Sequence, residues 1–428
     1  MKHLKPLFNI CALCLFGAIS NVSYAEKPLL SPDHIVQTVR NFSKAVQAKD
    51  TNLLLQAVSS EFAVSVGTLP LSLSYMQTIF DRLPIDSVVP VDGAVVARRG
   101  EFKQKVEALV HLPGREAIRT LITFDAREGK ILYVDYFDGL FGMFRNRPSR
   151  LMGVLPFEQK DPHGAIIVRI KINNYDQPLR FLFDSGADGM AISAEAAERA
   201  GVRATRQQGT QVVGGNRQVM ISAGNTIHLV DSLQMSNQNM AIFERVSEGI
   251  DGLLGLNLAR NYIIRVDFDE QNIYLYSHGD YTYAAGGEVE RVTVPKGIIH
   301  IPGYLNLTGE QPVEGNFVFD TGADYYLMAF SPWVARKRLL QSGWTPDRRA
   351  STVSMGMRTP TAEGVAHEFA FGHIIRKTQM PVALQTPSPV GDGWDPGADG
   401  SVGIRLLSHY NFTINLVEKE VHFSLRSR

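Results

Sequence analysis

Two short stretches of the sequence set an aspartate in the same surroundings. Residues 181–188 read Phe-Leu-Phe-Asp-Ser-Gly-Ala-Asp, and residues 317–324 read Phe-Val-Phe-Asp-Thr-Gly-Ala-Asp. Asp184 and Asp320 each close an apolar run and open a hydroxyl–glycine turn. Two carboxylates brought together can hydrolyse an amide without a covalent intermediate. One, ionised, takes a proton from water, and the other, protonated, polarises the carbonyl. Carboxylates about 3 Å apart cannot both ionise, so they share one proton and titrate as a pair. Gly186 and Gly322 let the chain turn tightly beneath them. A single Asp-Ser/Thr-Gly is an ordinary turn, expected in roughly one chain in five of this length. Two copies, each in an apolar strand, point to chemistry.

The elements around them repeat as well. Alternating apolar residues precede each octet: Ile166, Val168 and Ile170 in one case, Ile299 and Ile301 in the other. Each octet is followed by a helix expected to have a serine N-cap, Ser193 or Ser331, the latter with Pro332 at the first helical position. Further on stand Asp251-Gly-Leu-Leu-Gly255 and Asp399-Gly-Ser-Val-Gly403. From those last glycines the halves align without a gap to Leu275 and Phe423. Leu258 meets Leu406, Tyr262 meets Tyr410 and Val266 meets Ile414. Conserving the apolar face while polar residues differ suits one strand-rich unit used twice. Between each octet and its glycine motif a hairpin is expected. Residues 211–219 have a Gly214-Gly215-Asn216 tip, and residues 353–358 stand in the equivalent place.

This constellation resembles the aspartic proteases, specifically the retropepsin-like type with two halves fused in one chain, over residues 161–428. The resemblance implies a mainly β, bilobal C-terminal region with duplicated lobes and catalytic residues Asp184 and Asp320. Ser185, Gly186, Ala187, Thr321, Gly322 and Ala323 would support the active-site loops, the Ser185 and Thr321 hydroxyls bracing each other's loop. Val213, Gly214, Gly215 and Asn216 would form a flap over the substrate. The tyrosine of pepsin-type flaps is missing from both hairpins, and Ser401 departs from the apolar residue the family pattern has there. Ala187 and Ala323 stand where pepsin-type enzymes commonly carry a hydroxyl that bonds the catalytic carboxylate. Without it the pair should hold its proton to higher pH, with an optimum nearer about pH 5–6 than pH 2–3. Asp188 and Asp324 read as turn or salt-bridge residues.

Ahead of this region the periodicity changes. Residues 31–58 read as helical, with Ser31 as N-cap and Ile35, Val39, Phe42 and Val46 at helical spacing, and a further helix is expected near 73–80. Residues 88–98, 103–111, 117–125 and 131–137 then alternate with period two. Helices followed by antiparallel strands describe an α+β domain. The order resembles the nuclear-transport-factor-2-like fold over residues 31–140, a family that binds ligands or partners in its cone. The expected organisation is a signal peptide at 1–25, an α+β accessory domain at 26–140, a linker at 141–160, a first lobe at 161–280, an inter-lobe linker at 281–295 and a second lobe at 296–428.

Composition narrows the function classes. The 428 residues carry 43 Lys+Arg and 43 Asp+Glu, so no basic excess exists for nucleic-acid phosphates. Lys2 and Lys5, an apolar stretch over 7–19 and Ser23-Tyr24-Ala25 read as a secretory signal cut after Ala25, too short to span a bilayer. Both cysteines, Cys11 and Cys14, leave with it, so the mature chain has neither disulfide nor thiol nucleophile. His367-Glu368 lacks a second histidine, and no Gly-x-Ser-x-Gly elbow, P-loop or dinucleotide fingerprint is present. No metal or organic cofactor is expected. The reading is an exported aspartic endopeptidase, periplasmic or secreted, acting on a peptide or protein. It would have no nucleic-acid partner and no membrane span after cleavage, and could dimerise through its N-terminal domain. The alternative is a non-catalytic peptide-binding or adaptor protein that uses the bilobal cleft or the N-terminal domain.

Overall fold

A computed structural model describes residues 30–96, 103–159, 161–386 and 394–427, with backbone alone at 92–96. The expected signal peptide and part of the loop before Gly400 lie outside the described residues. The described chain divides into two compact units. One runs to Ala63 and from Thr68 to Tyr136; the other takes Val64–Gly67 and everything from Phe137 onward.

The first unit opens with α1 (Pro32–Ala48), where the Ser31 side chain accepts the His34 N–H and Ile35, Val39, Phe42 and Val46 are buried. Asp50 caps α2 (Thr51–Ala57) in the same way, and α3 (Leu71–Arg82) follows. The sheet is antiparallel in chain order: β1 (Ser87–Val96), β2 (Lys103–His111), β3 (Ile118–Asp125) and β4 (Lys130–Val134). The strand expected over 131–137 stops at Val134, and the chain turns there into a short helix, Asp135–Gly139.

The second unit is mainly β, and each of its barrels closes on itself. In the first, β6 (Ile167–Ile172) pairs with β7 (Tyr175–Phe183), and β8 (Met190–Ser193) leads into α4 (Ala194–Arg199). A hairpin of β9 (Arg206–Val212) and β10 (Gly215–Val230) is followed by β11 (Leu233–Phe243) and β12 (Gly252–Leu254). Here β7 pairs parallel to β12, β12 antiparallel to β8, β8 parallel to β11 and β11 antiparallel to β10. The pairing of β10 with β6, Ile227 opposite Ile172, closes the ring.

After α5 (Asn257–Asn261) come β13 (Ile263–Asp267), β14 (Asn272–Tyr276) and β15 (Gly287–Arg291). The second barrel is built from β16 (His300–Asn306), β17 (Val313–Asp320), β18 (Leu327–Ala329), β19 (Arg348–Ser354), β20 (Met357–Phe371), β21 (Ile375–Gln385) and β22 (Gly400–Gly403). Its ring runs β16, β17, β22, β18, β21, β20 and back to β16. Parallel and antiparallel steps fall in the same order as in the first barrel. The helix between β18 and β19, α6 (Ser331–Arg336), has Phe330 rather than a serine at its N-cap, while the Ser331 N–H bonds the Gln385 side chain. This corrects the expected Ser331 cap.

A six-stranded antiparallel sheet joins the barrels, using β23 (Tyr410–Asn415) and β24 (Glu420–Leu425) from the chain's end. Its order is β5 (Leu151–Glu158), β14, β13, β23, β24, β15. At its centre Arg265 faces Thr413, with Ile264 opposite Ile414 and Val266 opposite Phe412. The two segments expected as linkers therefore contain strands. Residues 151–158, within 141–160, pair with β14 and bury Leu155 and Phe157 in the main core. Residues 287–291, within 281–295, pair with β24. Period-two alternation is weak in both, and sheet pairing rather than local pattern makes them strands.

Phe157 touches Phe268 edge-to-face and is 5% exposed, whereas Met152 on the same strand is 44% exposed. Phe157→Ala should lower unfolding free energy by about 3–5 kcal/mol. Met152→Ala should stay within about 0.5 kcal/mol. Denaturant titration of the full chain measures both. Equal, negligible effects would show that 151–158 contributes no packing.

Candidate active site

Asp184 ends β7 and Asp320 ends β17, the two strands that run parallel to the glycine-motif strands β12 and β22. Those glycines are where the chain passes closest. A Cβ on Gly255 would lie 2.1 Å from the Gly189 carbonyl oxygen, and one on Gly403 would lie 2.3 Å from that of Tyr325. No side chain fits at such separations. The Leu256 and Ile404 N–H groups bond the Ala187 and Ala323 carbonyls, each at 2.9 Å. Ala187 and Ala323 thus anchor their loops through the backbone.

Ser185 and Thr321 lock the two loops together. The Ser185 N–H donates to Thr321 Oγ1 at 2.9 Å, and the Thr321 N–H donates to Ser185 Oγ at 3.0 Å. Each hydroxyl then donates across the junction, Ser185 Oγ to the Phe319 carbonyl at 2.7 Å and Thr321 Oγ1 to the Phe183 carbonyl at 2.8 Å. Both side chains are fully buried. Every donor and acceptor in the crossing is used, which is what such depth demands.

The crossing sets the carboxylates in contact. Asp184 accepts the Gly186 N–H at 2.9 Å and Asp320 accepts the Gly322 N–H at 3.1 Å, and the two carboxyls hydrogen-bond each other. A Cβ on Gly186 would lie 2.5 Å from the Asp320 carboxyl carbon, and one on Gly322 would lie 2.3 Å from that of Asp184. Each glycine makes room for the opposite aspartate. Burial first, and the negative charge of Asp320 second, hold the Asp184 carboxyl well above the usual carboxylate range. Burial also raises Asp320, but the Ser401 hydroxyl and the Gly322 N–H work against it. Both carboxyls are thus held above the ordinary carboxylate range.

Ser401 is the residue that sequence reasoning undervalued. It is 1% exposed on β22, and its hydroxyl donates to Asp320 Oδ2 at 2.8 Å. The expectation that this pair lacks a side-chain hydroxyl is therefore corrected on the Asp320 side. Ala323 makes no such bond, and a residue on a different strand does. The signal was visible as a serine where the first half has Leu253. Tyr325 is the second such residue: it lies close enough to Asp320 for that charge to act on it, and desolvation holds its phenol well above its ordinary pKa.

The hairpins reach across the molecule. In the first, Val212 pairs with Gly215 and Gln211 with Asn216, so the turn is Val213-Gly214, with φ +95° at Gly214. This moves the tip from the expected Gly-Gly-Asn, leaving Gly215 and Asn216 in the strand. In the second, Ser354 pairs with Met357 around Met355-Gly356. Val213 packs on a second-barrel cluster of Met328, Phe330, Ala383 and Trp394. Met355 packs on a first-barrel cluster of Leu182, Ala191 and Leu253.

Four further aspartates hold the frame. Asp188 pairs with Arg260, and Asp324 with Arg405 at 2.5 Å. Asp251 accepts the Arg180 N–H at 2.8 Å and pairs with Arg199. Asp399 likewise accepts the Asn316 N–H at 2.9 Å and pairs with Arg336 at 2.5 Å.

Residues 168–258 match a family model described as aspartyl protease. That stretch starts within β6 and ends in α5, so it holds Asp184, the first hairpin and Gly255. No curated protein matches the chain. The family domain supports a hydrolase of protease type.

Thr321→Ala would leave the Ser185 N–H without its acceptor and the Phe183 carbonyl without its donor. An unfolding free energy lower by about 1–3 kcal/mol is expected by denaturant titration. Thr321→Ser, which keeps the hydroxyl, should recover most of it. A Thr321→Ala protein as stable as the parent would mean the crossing does not hold the loops.

Proposed function

We propose that the chain is an exported aspartic endopeptidase whose catalytic residues are Asp184 and Asp320. The observation that carries this reading is the contact between those two carboxyls, each fed by the N–H of its own loop glycine. No structural purpose is served by holding two acids together at such electrostatic cost. The identical order of strand pairings in the two barrels supports a duplicated, bilobal, retropepsin-like architecture, with the six-stranded sheet between its halves.

In this reading the ionised carboxylate takes a proton from water as the oxygen attacks the scissile carbonyl. The protonated carboxyl donates to the carbonyl oxygen, giving a tetrahedral diol. One carboxyl then gives its proton to the amide nitrogen while the other takes the proton of a diol hydroxyl, the C–N bond breaks to release the amine and a carboxylic acid, and the pair ends with one proton as it began. The Ser185–Thr321 crossing keeps the carboxyls in register throughout. The hairpin tips Val213-Gly214 and Met355-Gly356 act as flaps that exclude water from the bound peptide. The substrate is a peptide or protein. The reading takes residues 1–25 as a secretory leader, from Lys2, Lys5 and the apolar stretch over 7–19. The N-terminal unit, read as nuclear-transport-factor-2-like, would serve localisation, dimerisation or choice of substrate.

Asp184→Asn and Asp320→Asn should each abolish cleavage of a diverse peptide mixture, assayed by mass spectrometry between pH 3 and 7. Asp184→Asn should also change stability with a defined sign. A carboxyl whose pKa is raised on folding makes the folded state bind more protons than the unfolded state above about pH 3.9. Its stability contribution therefore falls as pH rises. Removing it should stabilise the protein near neutral pH, and the gain should vanish toward pH 3. Turnover by either variant above a thousandth of the parent rate would sink the two-carboxylate mechanism.

A further inference from the structure

The two halves supply the same elements to the aspartate pair, yet they differ at two positions. On strand β12 Leu253 faces Ala191, and on β22 Ser401 faces Met328 in the matching register. Gly255 lies against the carbonyls of Gly189 and Ala187, and Gly403 against those of Tyr325 and Ala323. Leu253 thus corresponds to Ser401, and Gly189 to Tyr325. Around Asp184 the corresponding side chains are a leucine and a glycine, which donate nothing. Around Asp320 they are a serine and a tyrosine, and the serine hydroxyl donates to the carboxylate.

We propose that Ser401 is a positioning residue that breaks the two-fold symmetry of the aspartate pair and fixes the shared proton on Asp184. The Ser401 hydroxyl has one hydrogen, and it is spent on Asp320 Oδ2 at 2.8 Å. Tyr325 stays neutral because desolvation raises its phenol, so it adds no charge beside Asp320. Asp320 accepts a further bond from the Gly322 N–H. Both donors favour the ionised form of Asp320, while Asp184, bonded by the Gly186 N–H and by Asp320, has no hydroxyl donor of this kind. The titratable groups facing Asp320 are Asp184, from the end of β7, and Tyr325, from the loop into β18. The proton that the pair must keep goes to the side with fewer donors. Asp320 is then the carboxylate that takes the proton from water, and Asp184 the acid.

The proposal rests on the hydrolytic reading of the site and makes a prediction that a purely structural Ser401 would not. Ser401 stabilises every state in which Asp320 is ionised. That includes the singly and the doubly ionised pair alike. Its removal should raise only the lower pKa of the pair, by about one to two pH units, the size of a hydrogen bond to a charged group. In the kcat/KM profile of Ser401→Ala the acid limb should move toward neutral while the alkaline limb stays. Ser401→Thr should restore the parent profile. A stationary acid limb, or movement of the alkaline limb instead, would overturn the assignment.

An activity-free arm separates this from failure of the hydrolytic reading. With 13C-carboxyl-labelled aspartate, the lone Asp320 of Asp184→Asn should titrate about one to two pH units higher once Ser401→Ala is added. The lone Asp184 of Asp320→Asn should not shift with the same addition. Equal shifts in the two backgrounds, or none in the first, would refute the role of Ser401 even if no peptide is ever cleaved. Absence of cleavage with the expected shifts would fault the proposed activity and leave the asymmetry standing.

Discussion

Two acids in contact inside a protein repel each other, and everything around Asp184 and Asp320 is arranged to resist their separation. The force available to part them is large, because Asp320 is buried and little water is left to screen it. The answer is the crossed pair of hydroxyls. Ser185 and Thr321 each bond a backbone N–H and a backbone carbonyl of the opposite loop, at distances between 2.7 and 3.0 Å. The carbonyls belong to Phe183 and Phe319, the residues immediately before the aspartates. Parting the acids therefore means unmaking fully buried hydrogen bonds, each of which would leave an orphaned polar group.

That lock needs a rigid frame, and the frame has two parts. Each barrel fixes its own loop by running the aspartate strand parallel to a strand that ends in glycine, so that bare backbone packs where a side chain would intrude. The sheet between the barrels fixes one loop relative to the other. Its central contact sets Arg265 opposite Thr413, with the flanking pairs exchanged about that point. Asp251 and Asp399 tie the start of each glycine motif to the strand beside it through the same two bonds, one to a backbone N–H and one to an arginine.

The aspartate pair and its loop residues were legible because their requirements are local. An apolar strand, a hydroxyl and a glycine must follow one another in the chain, and they do so twice. The glycine motifs were legible for the same reason. What escaped was set by partners distant in sequence. Residues 151–158 contain Pro156 and expose Leu151 and Met152, so they lack a strand's alternation, and pairing with β14 and β6 makes them one. Ser401 looked like a flaw in an apolar segment because nothing local says that its neighbour in space is a carboxylate. The tip of the first hairpin starts one residue earlier than expected, because a Gly-Gly-Asn run suits a turn while the pairing of Val212 with Gly215 sets it at Val213-Gly214.

The central sheet also sets the order in which the chain can become a folded protein. The Phe268 N–H finds its acceptor, Asn411, 143 residues further along, and β13 meets β23 over a comparable separation. As the chain leaves the ribosome the first barrel can close on its own strands, yet one edge of β13 stays bare until nearly the last residues are made. An apolar edge that waits so long is open to wrong partners, including the same edge of another copy. The length of chain between the halves is thus a window of vulnerability, and shelter during synthesis matters more for this protein than for one whose strands pair with their neighbours.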